Sequence, residues 1–189
     1  MENDKLEVRL DQFDPRKNFS RGRPKAVEAI WYLIKCFIFM SPLPWPGTLK
    51  VKILRMFGAK IGVGFKIQPR VAIHFPWKFE VGDHCWLGQR CEILNFEPVV
   101  FEDQVALAHD VYIATGNHDY TDHTMPYMNK PTRICRGSWV ATRVFIGPGV
   151  EIGEHSVLGA GSVVTKSVPP WSIVSGNPGQ VIKQRKLKA

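Results

Sequence analysis

Residues 134–164 read ICRGSW VATRVF IGPGVE IGEHSV LGAGSV V, and this stretch decides the fold. An aliphatic residue opens every sixth position, at Ile134, Val140, Ile146, Ile152, Leu158 and Val164, with no break in phase. Upstream, the same step of six joins Ile61, Ile67 and Ile73, then Val81, Leu87 and Ile93, then Phe101, Leu107 and Ile113. The interruptions after residues 73, 93 and 113 each fall at the end of a set of three. Strands of a sandwich alternate with period two and turn every 8 to 12 residues or so, roughly, without a phase locked to six. Hexapeptides grouped in threes instead describe a three-sided coil. Each side is too short to bury an apolar face alone and is stabilised by stacking on its equivalent one turn away.

The expected fold is an all-β solenoid, a parallel β-helix of five three-hexapeptide coils over residues 61–168. A polar arm and amphipathic helical cap over 1–60 precede it, a loop is inserted at about 119–133, and a cap and basic tail over 169–189 follow. The residue four after each lead must turn inward at the corner, and small or β-branched residues hold that place, among them Cys85, Cys91, Val105, Ser138, Val150 and Val168. Glycine follows the lead at Gly62, Gly82, Gly88, Gly147, Gly153 and Gly159, which suits a corner where a side chain would crowd or where φ is positive.

With 189 residues and 44% apolar content the chain is long enough for one principal domain with a sizeable core. A net charge of +8, from 25 basic against 17 acidic residues, suits nucleic acid, an anionic membrane surface or a phosphate-bearing ligand. No helix-turn-helix, zinc-finger or RNP signature accompanies it, so no nucleic-acid partner is expected. Four cysteines without a signal sequence point to a reducing, cytoplasmic setting, and Cys85 and Cys91 read as buried small side chains. No metal is expected.

Residues 1–24 are polar and charged and are expected to be extended and partly mobile, with no chemistry of their own. From Ala26 to Met40, apolar residues at Val27, Ile30, Trp31, Ile34, Phe37 and Ile38 mark one face of a helix. At about 1.5 Å per residue it reaches about 22 Å, short of the roughly 30 Å needed to span a bilayer. A second helix is expected from an N-cap at Thr48 to a stop at Gly58. Both would cap the open end of the coil. The basic and aromatic surface of 26–57 also suits peripheral contact with the inner face of a membrane.

Between Ile113 and Ile134 the chain spends 21 residues where 6 would continue the coil. The extra stretch, DYTDHTMPYMNKPTR at 119–133, carries aromatic, acidic and histidine residues rather than a flexible linker, and reads as a binding lid.

The sequence resembles the hexapeptide-repeat O-acetyltransferases, a family of left-handed β-helices, and within it the branch attached to colanic acid and other exopolysaccharide synthesis. The likeness runs from about Ala26 to Ile182. It rests on FGAKIG at 57–62, TGNHDY at 115–120, FIGPGVEIGE at 145–154, GAGSVVTK at 159–166, VPPW at 168–171 and the SGNPG turn at 175–179. It implies an enzyme that moves acetyl from acetyl-CoA to a hydroxyl of a sugar or lipid-linked saccharide, working as a homotrimer. The family's general base matches His118. A neutral imidazole is chemically suited to take a proton from a sugar hydroxyl near neutral pH. Asp119 and Asp122 stand nearby as orienting acceptors, with a backbone carbonyl as an equal alternative. Asn95, Asn117, Asp119 and Tyr120 are the expected acceptor-binding residues. The implied acetyl-CoA groove includes Trp139, Ala141, Thr142, Ala160, Thr165, Lys166 and Pro178, with Lys183 or Arg185 toward phosphates. Ala141, Gly159 and Ala160 would let a thin pantetheine arm pair with the backbone. Where sugar-specific relatives carry an acceptor-binding Asn, this chain has Gly88 beside Gln89.

Two other readings share the coil. A gamma-class carbonic-anhydrase-like metalloenzyme would hold a metal through three histidines across a subunit boundary, using His118 and His123, five residues apart, with His84 upstream. A non-catalytic trimeric scaffold would use none of them.

Overall fold

In a computed structural model, which describes residues 7–188, the chain forms a parallel β-solenoid of three sheets. The first sheet stacks Lys60–Ile61, Phe79–Val81, Val99–Phe101, Thr132–Ile134 and Glu151–Ile152. The third stacks Ala72–Ile73, Glu92–Leu94, Tyr112–Ala114, Phe145–Ile146 and Val163–Val164. The second runs from Lys66–Ile67 through Trp86–Leu87, Ala106–Leu107, Trp139–Val140 and Val157–Leu158 to Ser172–Ser175 and Gln180–Gln184.

Register follows the leads: Ile61 pairs with Val81, Leu107 with Val140 and Ile113 with Ile146, so each lead sits on its equivalent. From Ile67 to Val164 every lead is buried, and the corner residues are buried with them. The polar ones among the latter spend their hydrogens on carbonyls. Ser138 Oγ donates to Gly153 O at 3.0 Å, and the thiols of Cys85 and Cys91 donate to Glu102 O and Ala108 O at 2.9 and 3.0 Å. Burial pushes both thiols up to about 11, so they stay protonated packing groups.

Gly62, Gly82, Gly88 and Gly153, each after a lead, serve close approach rather than positive φ. A Cβ on Gly82 would strike Asp103 and the backbone of Glu102, and one on Gly153 would strike Pro169 and Pro170. The left-handed conformation falls two residues later, and it is taken by Gly64, Gly137, Gly149 and Gly161 but also by His84, Arg90, Asp110, Arg143 and His155.

The solenoid continues past the fifteen hexapeptides. Val168 bridges Ile152, and Val174 pairs with Leu158, giving a sixth, partial coil before Gln180–Gln184 folds back antiparallel. The shortened step from Val164 to Val168 breaks the phase of six and hides this coil in the sequence.

Helix α1 (Lys25–Ile34) runs into a π-helical turn at Lys35–Phe39, and helix α2 (Gly47–Met56) follows. α2 begins at Gly47 behind Pro46 with no side-chain cap, so Thr48 is not the N-cap; Gly58, at φ +95°, ends it as expected. Together these helices plug the first coil with Trp31, Phe39 and Leu54, each 2% exposed or less. They also satisfy its unpaired backbone at all three sheets. Arg55 Nη2 donates to Ile61 O at 2.7 Å, Lys50 Nζ to Gln68 O at 3.2 Å, and Trp31 Nε1 to Ile73 O at 3.1 Å. Lys50 is fully buried, and burial holds its pKa below the ordinary value. Among the described residues no helix is long and apolar enough to cross a membrane.

Residues 7–23 are not a loose arm. Arg9 N donates to His123 O at 2.8 Å, Trp77 Nε1 donates to Arg21 O at 2.7 Å, and Phe19 packs on Phe96 and Tyr127 at 4.8 and 5.1 Å. Buried aromatic area is what the polar sequence of this segment conceals.

Candidate functional site

The inserted loop leaves the third sheet after Ala114 and re-enters the first at Thr132. It doubles back as a ribbon, with His118 bridging Tyr127, Asp119 N donating to Pro126 O at 2.9 Å, and Met128 N donating to Asn117 O at 2.9 Å. Two Asx turns close its tip. Asp119 Oδ1 accepts from Thr121 N and Oγ1 at 3.0 and 2.6 Å, and Asp122 Oδ1 accepts from Thr124 N and Oγ1, both at 2.8 Å. These bonds hold both carboxyls below their ordinary range.

His118 stands on this ribbon, half-buried, with its ring 4.8 Å from Tyr127 and 5.5 Å from Phe13. Its Nδ1 lies 2.6 Å from Met125 O. A carbonyl oxygen only accepts, so Nδ1 carries the hydrogen and Nε2 presents a lone pair. Nε2 has no hydrogen-bond partner among the described residues. The orienting acceptor is thus the backbone of Met125, and neither Asp119 nor Asp122 fills that place. Sequence reasoning could not single out Met125, because a main-chain acceptor leaves no mark on residue identity.

Of the expected acceptor-binding residues, Asn117 and Tyr120 are exposed, and Asp119 is committed to the loop tip. Asn95 is fully buried, its Oδ1 accepting from Phe75 N at 2.8 Å and its Nδ2 donating to Phe75 O at 2.6 Å. Both ends of its amide are consumed, so it holds the Phe75 turn and offers nothing to a ligand.

The expected donor-binding residues divide between places on the prism. Thr142 and Ala160 follow the paired leads Val140 and Leu158 by two, so they stack on the edge between the second and third sheets, beneath the turn holding Pro178. Thr165 and Lys166 follow Val164, on the edge from which the His118 loop also springs. Trp139, 48% exposed, stands on the outer face of the second sheet in line with Ala106 and Trp86. The two indoles flank a groove of about 570 Å³ whose wall includes Lys66 and His109. Trp86 was missed from sequence, although it precedes its lead as Trp139 does.

Three of these residues are otherwise engaged. Ala141 N donates to Leu158 O at 2.9 Å and Gly159 N to Val174 O at 2.8 Å, so neither N–H is open to pair with a ligand as an added strand would. Arg185 Nη1 donates to Gly137 O and His155 O at 2.9 and 3.0 Å, pinning the tail to the coil rather than reaching for phosphate. Lys183 is exposed. Among the described residues of one chain no three His, Cys, Asp or Glu side chains gather at one point.

A family model described as bacterial transferase hexapeptide (six repeats) matches residues 131–166. Over 176 residues the chain is 34% identical to WcaF of Escherichia coli (strain K12), provisionally a colanic acid biosynthesis acetyltransferase, covering 93% of this chain and 96% of the relative. The crystal structure of a hexapeptide-repeat-containing acetyltransferase from Vibrio cholerae O1 biovar eltor, complexed with acetyl coenzyme A, matches at TM-score 0.78 and 25% identity, over 86% of this chain and 89% of that one. A galactoside acetyltransferase in complex with coenzyme A matches at TM-score 0.78 and 25% identity, over 86% and 82%. Fold, repeat and relatives together define a hexapeptide-repeat transferase. The chain belongs to the hexapeptide-repeat acetyltransferase family.

Proposed function

We propose that this protein transfers acetyl from acetyl-CoA to a hydroxyl of a saccharide, with His118 as general base. The observation that carries the reading is an imidazole whose Nδ1–H is fixed on Met125 O while Nε2 stays open at the rim of an inserted loop. Nε2 takes the proton of the attacking hydroxyl as its oxygen adds to the thioester carbonyl. Collapse of the tetrahedral species expels the thiolate, and the imidazolium returns the proton to sulfur. No covalent enzyme intermediate is needed.

Thr142, Ala160, Thr165, Lys166 and Pro178 are proposed to line the donor groove, with Trp139 as an apolar wall and Lys183 toward the phosphates. Asn117 and Tyr120 are exposed beside His118 and are proposed to meet the acceptor. The two prism edges that share this work argue for a homotrimer, in which the His118 edge of one protomer faces the Thr142 and Ala160 edge of the next. The link of the relative WcaF to colanic acid biosynthesis supports a building block of such a polysaccharide as acceptor.

The test is release of free thiol from acetyl-CoA across a panel of saccharides, nucleotide sugars and lipid-linked oligosaccharides. Acceptor-dependent release that vanishes in His118→Ala, with CoA binding retained, supports the reading. Undiminished turnover in that variant rejects it.

A further inference from the structure

A cleft of about 810 Å³ lies between the N-terminal arm, α1 and the Phe75 turn, apart from the groove beside Trp139. Four cations line it, Arg16, Arg21, Lys25 and Lys35, against one carboxylate, Glu28. Arg21 pairs with Glu28 at 2.7 Å, while Arg16, Lys25 and Lys35 have no carboxylate partner among the described residues. Glu28 Oε1 is buried without a donor. Phe19 and Trp77, both partly exposed, supply flat apolar faces over the buried rings of Trp31 and Phe75, the kind of surface on which sugar rings stack. The cleft therefore offers unpaired cations suited to an anionic phosphate and two partly exposed aromatic faces suited to a saccharide, beside the buried Glu28 Oε1.

The neighbouring stripe of the same helix is apolar and open. Ile30, Leu33, Phe37 and Met40 are 54, 56, 72 and 47% exposed, and they lie beside the cleft-lining stripe of Lys25, Tyr32 and Lys35. In the other direction Phe19 lines the cleft and packs on Tyr127, which packs on His118. We propose that the cleft binds the phosphate and first sugar of a lipid-linked saccharide, its lipid chain along Ile30, Leu33, Phe37 and Met40 and its sugar chain directed past Phe19 toward His118. A phospholipid headgroup would use the cations but leave the faces of Phe19 and Trp77 idle. Calling this ligand the acceptor rests on the transferase reading above; its binding does not.

The experiment measures binding of farnesyl diphosphate, inorganic pyrophosphate and farnesol through tryptophan fluorescence, with the donor groove saturated by CoA. Farnesyl diphosphate is expected to bind about ten-fold or more tighter than pyrophosphate, a difference of about 1.4 kcal/mol. Arg16→Glu with Lys35→Glu should weaken both anions by about ten-fold or more. Leu33→Ser with Phe37→Ser should remove the advantage of the isoprenyl chain and leave pyrophosphate as before. Affinity for CoA, read in the same samples, reports folding and the transferase reading separately: a native protein that ignores CoA but binds farnesyl diphosphate sinks that reading and keeps this one. Equal affinity for farnesyl diphosphate and pyrophosphate, or indifference to charge reversal, overturns the proposal. So does association confined to vesicles of phosphatidylcholine with phosphatidylglycerol, which would make the surface a bilayer contact.

Discussion

The Nδ1 of His118 lies 2.6 Å from the carbonyl oxygen of Met125, seven residues along the chain and across the ribbon of the inserted loop. In the neutral ring this bond selects the tautomer with the hydrogen on Nδ1 and the lone pair on Nε2. Asn in place of His118 carries a donor near the Nδ1 position but nothing at Nε2. His118→Asn is expected to keep thermal stability close to that of the parent and to lower kcat by about 10²- to 10⁴-fold. Equal loss of stability and activity would instead mark the ring as a packing element.

Asn95 gives the opposite expectation. Removing its amide leaves Phe75 N buried without a partner, costing about 1–3 kcal/mol, while Phe75 O still accepts from Lys78 N at 3.0 Å. Asn95→Ala should therefore lower the midpoint of urea unfolding by the equivalent of about 1–3 kcal/mol. Its effect on the KM for any acceptor should be no larger than the effect on the KM for acetyl-CoA. A selective rise in acceptor KM in a fully stable variant would return Asn95 to the binding site.

What was legible in the sequence follows from which signals repeat. The lead residues state the solenoid because burial on a stacked axis demands the same chemistry at every sixth place. The sixth coil was lost where the step from Val164 to Val168 shortens before Pro169 and Pro170. His118 stood out because TGNHDY departs from the hexad at the mouth of the insertion. Met125 did not, since its contribution is a carbonyl. Phe13 and Phe19 were read as part of a loose arm, because their partners His118 and Tyr127 lie about a hundred residues away with no period linking them. Asn95 has the same letter whether it faces a ligand or bonds inward, and only its burial separates the two.

The glycines supply a paired test. Gly82 has no room for a Cβ against Asp103 and Glu102, whereas Gly161 has φ +71° and nothing within 4 Å of an added Cβ. Gly82→Ala should force adjacent coils apart and cost about 2–3 kcal/mol or more. Gly161→Ala meets only left-handed backbone strain, about 1–2 kcal/mol. Urea unfolding of the two variants checks the order, and a larger loss at Gly161 would show that conformation rather than crowding governs these corners.

His74 makes stability depend on pH with a definite sign. Burial first, then the charges of Lys35 and Arg21, hold its pKa down at about 4 despite the opposing carboxylate of Glu28. The unfolded chain titrates near the ordinary value of about 6.5. Above that pH both states are neutral and the residue contributes nothing to the slope. As pH falls from about 6.5 to about 4, the unfolded state takes up a proton that the folded state refuses, so stability drops. After allowance for partial exposure the loss is on the order of 2 kcal/mol. Comparing urea midpoints of the parent and His74→Gln at pH 7 and pH 4.5 isolates this group from the carboxylates common to both. The parent should lose more stability between the two pH values than the variant, and parallel losses would mean that His74 accepts a proton as readily in the folded chain as in the unfolded one.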